Sequence, residues 1–274
     1  MTERKRAVRY TLVAFAMSTL FLISGCSASR EIEQLTVEKR FELASSLFKE
    51  ENFLEAYEEF RIVTLQYQGS AVADEAQFLM GECRFRREEY VLAAYEYDVL
   101  NRTMPTSKYV PRARYQRAMC YYKLSPLYHL DQNYTRQAID EFQSFIEYHP
   151  TDSLVVQAEV KISELNSKLA LKAYENGMIY IRMEYYKSAL SSFDHVLEKY
   201  HDTPYAEQAQ LKKAEVQLLR NRVNEAKIEI EKFFSKYPNS SLKADAEQVQ
   251  KRILSRPPQK PTEKGKSATA SSGR

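Results

Sequence analysis

Small and large apolar residues return along this chain at a fixed interval. Alanines stand at Ala56, Ala93, Ala138, Ala189 and Ala226, and four residues after each comes a bulky side chain: Phe60, Tyr97, Phe142, Phe193 or Ile230. Twenty residues after each comes a second alanine, at Ala76, Ala113, Ala158, Ala209 and Ala246. Three residues before each stands Phe53, Tyr90, Thr135, Tyr186 or Val223. Polar turns separate the alanines of a pair, at Gln68-Gly69-Ser70, Pro105-Thr106-Ser107, Pro150 to Ser153, His201 to Pro204, and Pro238-Asn239-Ser240. An alanine lets two helices cross closely, and the bulky residue one turn later fills the wider gap beside it. Proline stops one helix, and Ser, Thr or Asp can cap the next. The pattern predicts five helix–turn–helix units and an all-α fold.

The spacing of the units resembles the tetratricopeptide repeat, with its A-xxx-F pair and terminal proline, over residues 37–254. Ala56 to Ala93 and Ala189 to Ala226 are each 37 residues, slightly longer than the usual repeat of about 34. Ala93 to Ala138 is 45 residues, with the excess in Leu124 to Asp131, which predicts a protruding loop inside repeat three. Ala138 to Ala189 is 51 residues. Its excess lies in Leu154 to Asn176, where Val155, Ala158, Ile162, Leu165, Leu169 and Ala173 keep one apolar stripe without Gly or Pro. That stretch reads as one long helix joining two sub-arrays. Ser240 to Leu254 reads as a capping helix whose polar face carries Lys243, Glu247, Gln250 and Lys251.

The ends of the chain differ from its middle. Residues 1–25 form a signal peptide: Arg4, Lys5, Arg6 and Arg9 precede an apolar run from Leu12 to Ile23, too short to span a bilayer. Leu22-Ile23-Ser24-Gly25-Cys26 resembles a bacterial lipobox, with Ile where Leu is usual. The resemblance makes Cys26 the lipidated N-terminus of the mature chain and residues 26–36 a spacer. Residues 37–153 then hold repeats one to three, and 154–254 the joining helix, repeats four and five and the cap. Residues 255–274, rich in Pro, Lys, Ser and Thr, read as a disordered basic tail.

Charge follows the same division. The chain carries a net +3, and the signal alone accounts for it. The tail is basic and the repeat body mildly acidic, so no face argues for nucleic acid. No metal-ligand spacing, phosphate loop or catalytic motif surrounds the four histidines. The chain therefore reads as a binding protein, with no cofactor, and not as an enzyme. Cys83 and Cys120 hold equivalent repeat positions. Equivalent helices lie about 9–10 Å apart, too far for a disulfide.

Binding points to the first helix of each unit. Its fifth position holds Phe41, Phe78, Tyr115, Tyr174 and Leu211; one heptad on stand Phe48, Phe85, Tyr122, Ile181 and Leu218. The next residue is Lys49, Arg86, Lys123, Arg182 or Leu219. Repeats one to three are thus aromatic at every groove position, each pair followed by a cation. Such a groove suits an extended peptide ending in an aromatic residue and a carboxylate. The same positions serve packing in unspecialised repeats, so the stripe has two readings.

Three stretches carry a further likeness: Ala44-Ser45-Ser46-Leu47-Phe48 followed by Asn52 to Ala56; the loop before Tyr134 to Ala138; and Leu165 to Glu175. With the lipobox and the long joining helix they make the chain similar to the BamD/ComL family, lipoprotein subunits of the outer-membrane β-barrel assembly machine. The resemblance implies N-terminal repeats that receive the C-termini of unfolded outer-membrane proteins. It implies C-terminal repeats that grip a BamA-like barrel subunit. Ser27, Ala28 and Ser29 follow Cys26 with no retention Asp, which by resemblance favours the inner leaflet of the outer membrane, facing the periplasm. A lipoprotein adaptor of pilotin or cell-wall type is the alternative.

Overall fold

The computed structural model describes residues 35–257. Among these are eleven helices and no strand. Repeat one is α1 (Val37–Lys49) and α2 (Phe53–Gln66); repeat two is α3 (Ala73–Arg86) and α4 (Tyr90–Thr103). Repeat three is α5 (Val110–Leu124) and α6 (Asn133–Tyr148), followed by α7 (Val155–Arg182). Then come α8 (Tyr186–Lys199), α9 (Pro204–Leu219), α10 (Val223–Lys236) and α11 (Lys243–Leu254). Each helix packs on the next, which makes an all-α tetratricopeptide solenoid. The signal peptide, Cys26 and nearly all of the basic tail lie outside the described residues.

The repeat residues do what their sizes allow. All ten phased alanines are 0% exposed, and Phe60, Tyr97, Phe142, Phe193 and Ile230 sit buried beside them. Gly81 and Gly177 hold equivalent places in α3 and α7; a Cβ there would meet Tyr97 at 2.4 Å and Phe193 at 2.6 Å. The turn within repeats one, two, four and five puts a non-glycine residue at positive φ: Glu51, Glu88, Glu184 and Asn221. In each, the next N–H bonds back across the turn, as Asn52 does to the Leu47 carbonyl. This helix-ending turn favours glycine, and an L side chain there is strained by about 1–2 kcal/mol. Repeat three lacks it because the insert stands in its place.

Three sequence expectations need correction. First, the turn hydroxyls and carboxylates do not cap the following helices. Ser107, Asp152 and Ser240 instead accept from the N–H two residues on, of Tyr109, Leu154 and Leu242, and so shape the turn ahead of each helix. Thr36 does accept from Lys39 N at the start of α1. Second, the cap is shorter than Ser240 to Leu254, beginning at Lys243. Third, the long helix runs 28 residues, to Arg182 rather than Asn176. Its first half caps repeat three, with Ala158, Leu165 and Leu169 against Phe142 and Phe145. Its second half is the first helix of repeat four, with Ala170 and Tyr174 against Phe193. Fourteen extra residues restart the array about 21 Å further along one axis.

Polar pairs repeat as well, though the sequence reading did not find them. Gln77 Nε2 donates to the Glu96 carbonyl and carboxylate, and Gln210 makes the same two bonds to Glu229. Arg117 joins Asp98 of the previous repeat to Glu141 of its own. Lys213 joins Asp194 to Glu229 in the same way. These bonds satisfy carboxylates placed between helices, where an unpaired charge would be costly.

Candidate functional site

The first helices of successive repeats open cavities between them at equivalent positions. One, of about 300 Å³, lies between α1, α3 and α5 and is lined by Phe48, Phe78, Glu82, Arg86, Tyr109 and Arg112, among others. The next, of about 540 Å³, lies between α5 and α7 and includes Lys108, Arg112, Tyr115 and Gln157. A third, of about 250 Å³, lies between α7, α9 and α11 and includes Tyr174, Leu211, Asp245 and Arg252. By repeat register Leu211 stands where Phe78 does, Leu242 where Tyr109 does, and Asp245 where Arg112 does. At these three positions two aromatic residues and a cation at the N-terminal end give way to two leucines and an acid at the C-terminal end.

The structure brings only some of the expected residues together. Phe48, Phe78 and Arg86 surround the first cavity, and Tyr115 lines the second. Phe41, Lys49, Phe85, Tyr122 and Lys123 line neither. Phe78 and Tyr115 are 5% and 8% exposed, so they are core side chains that show the groove one edge only. The other four aromatics are half-buried. Phe41 lies 5.6 Å from Phe60, Phe48 5.3 Å from Phe53 and Phe85 5.3 Å from Tyr90, each contact made within its own repeat. Tyr122 is engaged by α7: its hydroxyl donates to Glu164 at 2.6 Å and Lys161 lies over its ring. That hydrogen bond, with Lys161 beside it, holds the Glu164 carboxyl below the usual carboxylate range.

The cations are better placed than the rings. Arg86, Lys49 and Lys123 are exposed and make no ion pair among the described residues. Arg112 and Lys108, which the sequence reading passed over, are exposed and likewise free of ion pairs. Arg112 lies over the Phe78 ring at 5.7 Å, and Lys108 over Tyr109 at 5.0 Å. Phe78 and Tyr109 stack at 5.4 Å and 17°. Two acids face the first cavity. Glu82 is buried and already accepts from Tyr97 Oη and Gln116 Nε2, both at 2.6 Å. Burial pushes the Tyr109 hydroxyl up, and the Glu75 carboxylate beside it adds to the shift. The missed signal was the pair of cations flanking Tyr109, one and five residues before Ala113, off the heptad that was followed.

Among the described residues no group of three His, Cys, Asp or Glu could hold a metal. No described helix is long and apolar enough to cross a membrane. Cys83 and Cys120 are free and fully buried. Burial pushes the Cys83 thiol up to about 12, and Cys120 higher still.

The chain is similar to several known proteins. A family described as YfiO, outer membrane lipoprotein, matches residues 33–220, and a tetratricopeptide repeat model matches residues 208–240. The outer membrane protein assembly factor BamD of Rickettsia prowazekii is 23% identical over 224 residues, covering 80% of this chain and 88% of that one. BamD of Caulobacter vibrioides is 23% identical over 210 residues, covering 75% and 69%. Among solved structures, a TPR repeats protein from Bacteroides fragilis covers 80% of this chain and 98% of its own, at 11% identity and a TM-score of 0.43. With the outer membrane lipoprotein model spanning well over half of its length, the chain belongs to the YfiO family.

Proposed function

We propose that this chain is the BamD-type subunit of outer membrane protein assembly: a lipid-anchored scaffold, held by Cys26, that faces the periplasm. Its N-terminal repeats receive the C-terminal segments of unfolded outer-membrane proteins, and its C-terminal repeats hold a BamA-like barrel subunit. The family and the BamD names of its relatives support this reading over a pilotin-like adaptor. The observation that carries the peptide site is the cavity where Phe48, Phe78 and Tyr109 meet the unpaired guanidinium groups of Arg86 and Arg112. An aromatic side chain fits against the rings, and a terminal carboxylate is drawn to the cations. Non-covalent contact is all this function requires.

The test is fluorescence anisotropy with a labelled peptide ending in phenylalanine, as free acid and as amide. A hydrogen bond to a charged group is worth about 1.5–3 kcal/mol. Arg86→Glu and Arg112→Glu should each weaken the free acid by about tenfold or more, and amidation should do the same to the wild type. Equal affinity for acid and amide would remove the carboxylate from the site. Crosslinking from outer membranes should recover a barrel protein with periplasmic repeats.

A further inference from the structure

The two irregular spacings of the sequence meet in space. In repeats two, three and five, the first helix packs on the second helix of the repeat before it. It does so through Val72 and Ala76, Tyr109 and Ala113, and Tyr205 and Ala209. The equivalent positions of repeat four, in α7, are Lys168 and Lys172. Here α6 packs on the first half of α7 and leaves those two positions without a helix. The insert of repeat three lies there instead. Lys168 Nζ donates to Ser125 Oγ at 2.8 Å, and Lys172 Nζ donates to the Leu130 carbonyl.

A third departure from the repeat joins them. Where other repeats hold Phe53, Tyr90, Tyr186 or Val223, repeat three holds Thr135, which is fully buried. Its hydroxyl donates to Gln132 Oε1 at 2.7 Å and lies 2.6 Å from Ser125 Oγ. Gln132 is 1% exposed, and its amide donates to the Leu127 and Leu130 carbonyls at 2.9 and 3.0 Å. The donors run one way, from Lys168 to Ser125 to Thr135 to Gln132, because Gln132 Oε1 can only accept and takes the one proton of Thr135, which leaves Ser125 to donate to Thr135. The expected protruding loop is thus tied at both ends, while the side chains of Leu127, His129, Leu130 and Asp131 stand exposed. Three polar residues at apolar repeat positions converge on one insert.

We propose that residues 125–132 form a strap that fixes the offset between the N-terminal and C-terminal arrays by bracing the middle of α7. A 28-residue helix is rarely straight, and at Lys168 and Lys172 the strap is what bonds to its side. Tyr200, which packs against the cores of both arrays, is the second brace. The strap makes the two arrays one body, whatever peptide the groove accepts.

The test is electron spin-echo distance measurement on the mature chain, with Cys26→Ser and labels at Glu55→Cys in α2 and Lys236→Cys in α10. Cys83 and Cys120 are fully buried and escape labelling. Thr135→Val breaks the relay with an apolar residue of the same shape; Lys168→Met with Lys172→Met removes both donors and keeps the side-chain stems. In both variants the distance distribution should broaden about twofold while far-UV circular dichroism stays unchanged. Lys199→Met, which removes an exposed lysine outside the strap, should keep the wild-type width. A wild-type width in both strap variants overturns the proposal.

Discussion

Replacing Gly177 by alanine tests why a glycine stands inside the longest helix. A methyl there would sit 2.6 Å from Phe193 Cε1, 2.8 Å from Cζ and 3.0 Å from Cδ1, well inside ordinary carbon contact of about 3.5–4.0 Å. Phe193 is 0% exposed, so the ring has nowhere to swing. Overpacking of this kind costs about 1–3 kcal/mol. Alanine regains about 1 kcal/mol of helix propensity over glycine, so the net loss should be about 0–2 kcal/mol. Removing the ring reverses the sign. In a Phe193→Leu background the clash is gone, and Gly177→Ala should stabilise by about 1 kcal/mol. Urea unfolding of the four chains of this cycle, followed by circular dichroism, reads the interaction directly. If Gly177→Ala destabilises equally in both backgrounds, Phe193 is not the reason for the glycine. The Gly81 and Tyr97 pair should repeat the result in the N-terminal array.

The polar pairs make their own predictions. Gln210→Leu leaves the Glu229 carbonyl and carboxylate each short of a donor and should cost about 1–3 kcal/mol, read as a lower urea midpoint. Burial alone would push Glu229 up, but the Gln210 amide, Lys213 and Lys232 hold it below the usual carboxylate range. A carboxyl depressed on folding adds stability that is complete above its unfolded value. That stability is lost as pH falls through the lower folded value. Glu229→Gln should therefore be less stable than wild type at neutral pH and lose less stability as pH falls from about 5 to 3; parallel pH curves would refute the assignment. The buried thiols, with Cys83 pushed up to about 12, should resist alkylation at neutral pH in the native chain and react once urea unfolds it. Mass spectrometry counts the adducts.

Much of the candidate site was legible in part only. The heptad reading found Phe48, Phe78 and Arg86, which do share a cavity. It also selected Phe85 and Tyr122, which the fold occupies with Tyr90 and with Glu164 and Lys161. An aromatic at a repeat position looks the same in sequence whether a neighbouring helix covers it or not. Arg112, in the first turn of α5, and Lys108, in the turn before it, were missed because both stand outside the heptad that links the other groove positions.

The five units, their boundaries within a few residues and the core alanines follow from the sequence alone. Size and spacing decide them: a residue that must fit where helices cross can only be small, and it must recur with the repeat. The place of repeat four, the strap beneath it and the inter-repeat ion pairs were decided by the tertiary structure. Their residues lie roughly twenty to forty positions apart, and nothing local in the chain favours a lysine at Lys168 or a threonine at Thr135. Those side chains gain partners only once the second array restarts along α7 and brings the insert of repeat three against it.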